Sequence, residues 1–163
     1  MIALALIALA MLALVIIGKR SEASLTSDNG AGPSLFPLPG LPDDEVAIIH
    51  EVANEMGIDP TALAALRKTE AGGPGREFGV LSVSAPTYYE QARIAAQSIS
   101  NAIGRAGTKG IMVFDAGGRY TAEFLHDFSA RYAPIGAEND PAGLNKNHAR
   151  NLVSWYNVFN NRV

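Results

Sequence analysis

The first eighteen residues, MIALALIALAMLALVIIG, carry no charged side chain. A helix that is apolar on every face has no place in a small domain, where one stripe turns inward and the opposite face meets water. At about 1.5 Å per residue this run reaches roughly 27 Å as a helix, close to the hydrocarbon core of a bilayer at about 30 Å. Residues 1–18 therefore read as a retained membrane anchor. The rival is a cleaved secretory signal. No positive charge precedes the apolar run, and Ser21-Glu22-Ala23 is a weak cleavage pattern. Lys19 and Arg20 follow at once, and the positive-inside rule leaves them, with the chain beyond, on the cytoplasmic side.

Residues 19–42 are rich in Ser, Gly, Pro and Asp. They read as a flexible tether spanning on the order of 25 Å as a coil. Residues 43–163 remain, about 120 residues, enough for one modest core. The net charge of −3, with scattered Lys and Arg, gives no nucleic-acid footprint. There is no cysteine, which excludes disulfides and thiolate metal sites. His50, His126 and His148 lie far apart and form no H-x-x-x-H pair or H-E-x-x-H box, so neither a metal nor another cofactor is expected. His126 and His148 read as surface or capping residues.

Within the domain, Asp43 and Asp44 are placed to cap a helix running to about Met56, with Val46, Ile49, Ala53 and Met56 as its buried stripe. Asp59 and Pro60 restart the chain as N-cap and first helical residue. Leu63 and Leu66 face inward, the helix ends near Glu70, and Gly72 and Gly73 permit a left-handed closure. Residues 78–83 read as a short extended segment. Thr87 with Glu90 forms a capping box before a third helix, whose inner face is Tyr89, Ala92, Ala96, Ile99 and Ile103 and whose end is marked by Gly104 and Gly107. GIMVFDAGG is a short strand or a turn. Residues 120–132 form a fourth helix around Phe124, Leu125 and Phe128. After a loop rich in turn formers, a last helix carries Leu152, Val153, Tyr156 and Phe159. No internal repeat is visible. The expected class is all-α, with at most a minor strand element.

The stretch RKTEAGGPGREFGVLS sets Glu70 at a helix end before four glycines. The negative end of the helix dipole, with apolar Leu66, Phe78 and Val80 nearby, favours the protonated form of Glu70. A carboxylic acid so placed can donate a proton to a leaving oxygen, and glycines let a bulky chain approach the backbone. That combination suits cleavage of a glycosidic bond. A solvated residue closing a helix is the alternative, and spacing alone does not decide between them. No second carboxylate is fixed at a recognisable distance, although Glu77, Asp115 and Asp127 are available.

The stretch GIDPTALAALRKTEAGGPGREFGVLS resembles the opening of the lysozyme-like and lytic transglycosylase families. These share a G-x-D-P restart, a helix ending on the catalytic Glu, small residues, and a G-x-L/M segment lining the cleft. The segment FLHDFSARYAPIGAENDPAGLNKNHARNLVSWY resembles the closing part of phage-type peptidoglycan hydrolases. The resemblance covers roughly residues 43–156. It implies a lysozyme-like helical domain with Glu70 as catalytic acid and then base, and Gly79 and Ser82 in the cleft segment. Ser82 stands where many members have Gln, and the gap after Glu70 is shorter than usual. Tyr88, Tyr89, Tyr120, Tyr132, Trp155 and Tyr156 could stack on sugars. Tyr88 and Tyr156 are the chosen candidates, Tyr156 because lytic transglycosylases often set a late-helix Tyr near the acid. Asn139 begins either an Asx turn or a cleft wall that binds N-acetyl or peptide groups.

The expected partners are peptidoglycan glycan strands, a lipid membrane through residues 1–18, and a viral capsid or other virion membrane proteins. The expected activity is lytic transglycosylation, used for wall penetration by a virion. The alternatives are an N-acetylglucosaminidase, a host-lysis endolysin, or a non-catalytic structural viral membrane protein that retains the fold.

Overall fold

The structure is a computed structural model that describes residues 38–81, 84–85, 87–138, 140 and 142–161. The anchor and most of the tether lie outside these residues, as do Ser82 and Asn139. The described part is all-α, with five α-helices and a 3-10 turn at Leu144–Asn147. The helices are α1 (Asp43–Met56), α2 (Pro60–Glu70), α3 (Tyr88–Lys109), α4 (Ala122–Tyr132) and α5 (His148–Asn160). Among the described residues the β content is a single antiparallel bridge, Phe114 to Tyr120, closing the GIMVFDAGG turn.

The domain begins earlier than its composition implies. Leu38 is buried in the core, and the Lys68 ammonium donates to the Gly40 carbonyl. The end of the expected tether is thus held on the domain. Pro42, not an aspartate, occupies the N-cap of α1, and Asp43, Asp44 and Glu45 fall in its first turn. There they complement the positive end of the helix dipole, a role open to any acid within the turn.

Helix α2 starts as expected, with the Asp59 carboxylate accepting from the Thr61 N–H at 2.8 Å and Pro60 following the cap. Ala62 through Leu66 are fully buried, which makes α2 the central element, flanked by α1 and α5. It closes differently from the expectation. Ala71, a residue with a Cβ, takes the left-handed conformation at φ 48°, and its N–H bonds the Arg67 carbonyl. Gly72 serves another purpose: a Cβ there would lie 1.7 Å from the Arg76 carbonyl oxygen, so only glycine admits this tight turn.

Residues 78–81 are irregular rather than extended. Helix α3 begins with the Thr87–Glu90 capping box but runs on through Gly104 and Gly107 to a left-handed Gly110. The expected early stop fails because a glycine inside a helix only lowers its propensity, and Ala102 and Ala106 still bury the inner face. Its expected inner face holds at Ala92, Ala96 and Ile99, with Tyr89 and Ile103 half-buried. Phe124, Leu125 and Phe128 of α4 and Leu152, Tyr156 and Phe159 of α5 complete the core.

Candidate active site

Glu70 closes α2, and its carboxyl lies on the backbone of Gly79. A Cβ at Gly79 would stand 2.2 Å from Glu70 Oε2. Gly79 has φ +67°, a conformation that L side chains rarely adopt. Close approach and backbone twist both require glycine here. Glu70 Oε1 turns the other way and lies 2.8 Å from His148 Nε2. The far ring nitrogen, Nδ1, is 2.6 Å from Ser129 Oγ. His148 and Ser129 are buried, while the Glu70 side chain keeps 19% of its exposure. Three elements, α2, α4 and α5, thus converge on one carboxyl.

Two hydrogen placements satisfy this chain. In one, the Ser129 hydroxyl donates to Nδ1 and the Nε2–H donates to an ionised Glu70. In the other, the Nδ1–H donates to Ser129 and Nε2 accepts from a protonated Glu70. The same buried partner therefore serves either form of the acid.

Tyr132, the last residue of α4, stacks on His148 with ring centroids 5.9 Å apart and donates its hydroxyl to the Phe78 carbonyl at 2.5 Å. Burial, and then the Glu70 carboxylate, raise its pKa above the ordinary tyrosine range. The hydroxyl remains a donor and pins the segment that carries Gly79. Gln91 holds the same segment from below. Its Nε2 lies within 3.1 Å of the carbonyls of Gly75, Val80 and Ala85, so two hydrogens serve three acceptors.

A cleft of about 420 Å³ opens beside Gly79. That size falls within the range of small-ligand sites, about 300–1,000 Å³. Gly79, Val80 and Leu81 form one wall. Ile94, Ser98, Asn101 and Arg105 line a second, spaced as one stripe of α3. Phe128, Arg131 and Tyr132 of α4 form the third. Gly79 and Tyr132, which touch Glu70 and His148 respectively, join the cleft to the acid.

Of the residues selected from sequence, Glu70 and Gly79 come together here. Tyr156 does not. It is buried, its hydroxyl donates to Asp59 Oδ2 at 2.6 Å and accepts from the Tyr120 N–H at 2.8 Å, and the aromatic beside the acid is Tyr132. Tyr88 does not line the cleft either. Its ring packs edge-on against Phe78 and lies under the Arg67 guanidinium, which forks onto Glu45 at 3.0 and 3.1 Å. Tyr88 is thus placed against Phe78 and the Arg67–Glu45 pair, and Tyr156 against Asp59 and Tyr120. Ser82 and Asn139 lie outside the described residues.

The other carboxylates are engaged elsewhere. Asp115 accepts from the N–H groups of Gly117 and Arg119 within its turn. Asp127 pairs with Lys109 at 2.6 Å. Glu77 is buried and accepts from the Gly75 N–H. His126 is exposed, as expected of a surface histidine, but His148 is not. A signal for His148 was present: it stands four and eight residues before Leu152 and Tyr156, on the buried stripe of α5. Ser129 likewise follows Phe128 on the inner face of α4. No protein-family profile, curated protein or solved structure matches the chain.

Proposed function

We propose that the domain is a lysozyme-like peptidoglycan hydrolase that cleaves glycan strands with Glu70 as general acid and then base, working as a virion-associated lytic transglycosylase anchored by residues 1–18. The observation that carries this reading is the placement of Glu70: one carboxyl oxygen held by buried His148, the other against glycine at the edge of a cleft. Gly79 lines the cleft and bears no Cβ, so no side chain at that position separates Oε2 from a sugar chain bound there.

In the first step protonated Glu70 gives its proton to the glycosidic oxygen as the bond from that oxygen to the anomeric carbon breaks. In the second, the Glu70 carboxylate takes the proton of the sugar's own 6-hydroxyl as that oxygen bonds to the anomeric carbon. A 1,6-anhydro sugar leaves, and Glu70 is protonated again. Water in place of the 6-hydroxyl would give simple hydrolysis. A single acid suffices for both routes, in keeping with the engagement of Asp115 and Asp127 elsewhere. The ability of His148 and Ser129 to match both forms of Glu70 suits a group that alternates between them.

The test is mass spectrometry of purified murein treated with the full chain. Anhydro-muropeptides are expected from the parent protein. Glu70→Gln keeps the shape but cannot donate the proton, and it should yield none while retaining its helical circular dichroism. Digestion by that variant at the parent rate would remove Glu70 from the chemistry. Hydrated ends on N-acetylglucosamine would instead identify a glucosaminidase.

A further inference from the structure

The cleft is chemically lopsided. Apolar residues, Val80, Ile94 and Phe128, line it beside two arginines, Arg105 and Arg131, and among the described residues no Asp or Glu lines it. The two arginines lie one helical turn from the Lys109–Asp127 ion pair, Arg105 four residues back along α3 and Arg131 four residues on along α4. That pair is neutralised. Among the described residues, Arg105 and Arg131 belong to no ion pair. Like charges converging on one concavity repel each other and raise its positive potential, and an anion relieves both. Arginine is also the side chain whose planar fork fits a carboxylate in two parallel hydrogen bonds.

We infer that this end of the cleft is a carboxylate-binding subsite, in which Arg105 and Arg131 hold the acid groups of a short peptide attached to the bound glycan. The inference rests on the reading of the domain as a peptidoglycan hydrolase. The ligand is a peptide carboxylate rather than an inorganic anion because the guanidinium groups share the cleft with apolar walls. A peptide stem of alanine and acidic residues presents methyl groups and carboxylates together. The subsite selects peptide-bearing strands over bare glycan, and its hold weakens as salt rises.

The test uses the full chain carrying Glu70→Gln, which removes cleavage, in co-sedimentation with murein. One murein sample is intact and the other is stripped of peptides by an amidase. Adding Arg105→Gln and Arg131→Gln together should weaken binding to intact murein by about tenfold, the scale of two partly exposed ion pairs. Binding to stripped strands should be unchanged. Arg105→Lys with Arg131→Lys should recover part of the loss, and unchanged circular dichroism excludes unfolding. Equal loss on both substrates, or none on either, overturns the subsite. If the Glu70→Gln chain binds neither substrate, the glycan reading fails by itself. The subsite is then decided by titrating free alanyl-glutamate and inorganic phosphate while following the Nε–H signals of Arg105 and Arg131. A response to the peptide sustains it. A response to phosphate alone, or to neither, overturns it.

Discussion

Position 79 shows how one residue type can serve the backbone and the seating of a carboxyl together. Gly79 has a positive φ, and its missing Cβ is the space that Glu70 Oε2 occupies. Gly79→Ala therefore carries two penalties. The left-handed conformation costs about 1–2 kcal/mol for a residue with a Cβ, and the methyl displaces the carboxylate. Chemical denaturation should show a loss of that order. Activity on murein should fall further, by about a hundredfold, since a misplacement near 1 Å is enough for such a loss. A variant that loses stability but keeps the parent rate would show that Glu70 does not act from this position. Ala71 bears on the same point. The chain accepts strain at a non-glycine residue one step beyond Glu70, whereas Gly72 is reserved for the tighter contact with Arg76.

At the scale of elements, the start of α2 is tied to α5 and to the approach to α4 through Asp59. One Asp59 oxygen caps Thr61, and the other accepts from the Tyr156 hydroxyl. The Tyr156 hydroxyl in turn accepts from the Tyr120 N–H, and the Tyr120 hydroxyl accepts from the Asp59 N–H at 3.3 Å. The two tyrosine rings stack 6.0 Å apart. A cap alone is worth about 1 kcal/mol. Asp59→Ala should cost more, because the buried Tyr156 hydroxyl is left without its acceptor, an added penalty of about 1–3 kcal/mol. Tyr156→Phe should cost less than Asp59→Ala, and the double variant should fall short of the sum by about 0.5–3 kcal/mol. Strict additivity in denaturant unfolding would mean that the ring of contacts is not energetically coupled.

At the scale of the molecule, four buried or half-buried tyrosines, Tyr88, Tyr120, Tyr132 and Tyr156, have pKa values raised chiefly by burial. Folding therefore favours their neutral forms. Above the ordinary tyrosine value of about 10 the unfolded chain loses these protons while the folded chain keeps them, so stability falls as pH rises. Below about pH 9 the contribution is complete and the curve should be flat with respect to these groups. Denaturant unfolding between pH 9 and 11 should show a progressive decline, and Tyr132→Phe should flatten its slope while lowering stability at neutral pH. An unchanged slope in that variant would show that the Tyr132 hydroxyl titrates alike in both states.

Much of the helical order was legible in the chain. Asp59-Pro60, the Thr87–Glu90 box and the apolar stripes of α2 and α4 act through local geometry, with cause and effect within one or two turns. Glu70 was also legible as a carboxyl at a helix end with glycines behind it. What surrounds Glu70 was not. His148 lies 78 residues from Glu70 and Ser129 lies 19 residues before His148, and a histidine or serine on a buried stripe is compatible with many partners. The exchange of Tyr156 for Tyr132 beside the acid has the same origin. Each tyrosine sits at a plausible place in its own helix, and the crossing of α2 by α5 decides which hydroxyl Asp59 takes. The cleft depends on separation in the same way, since α3, α4 and the Gly79 segment meet only when all are packed. The helix starts at Asp59 and Thr87 and the place of Glu70 at a helix end follow from short-range chemistry that a sequence records. The partners of the acid and the walls of its cleft follow from packing between distant segments, which only the tertiary structure specifies.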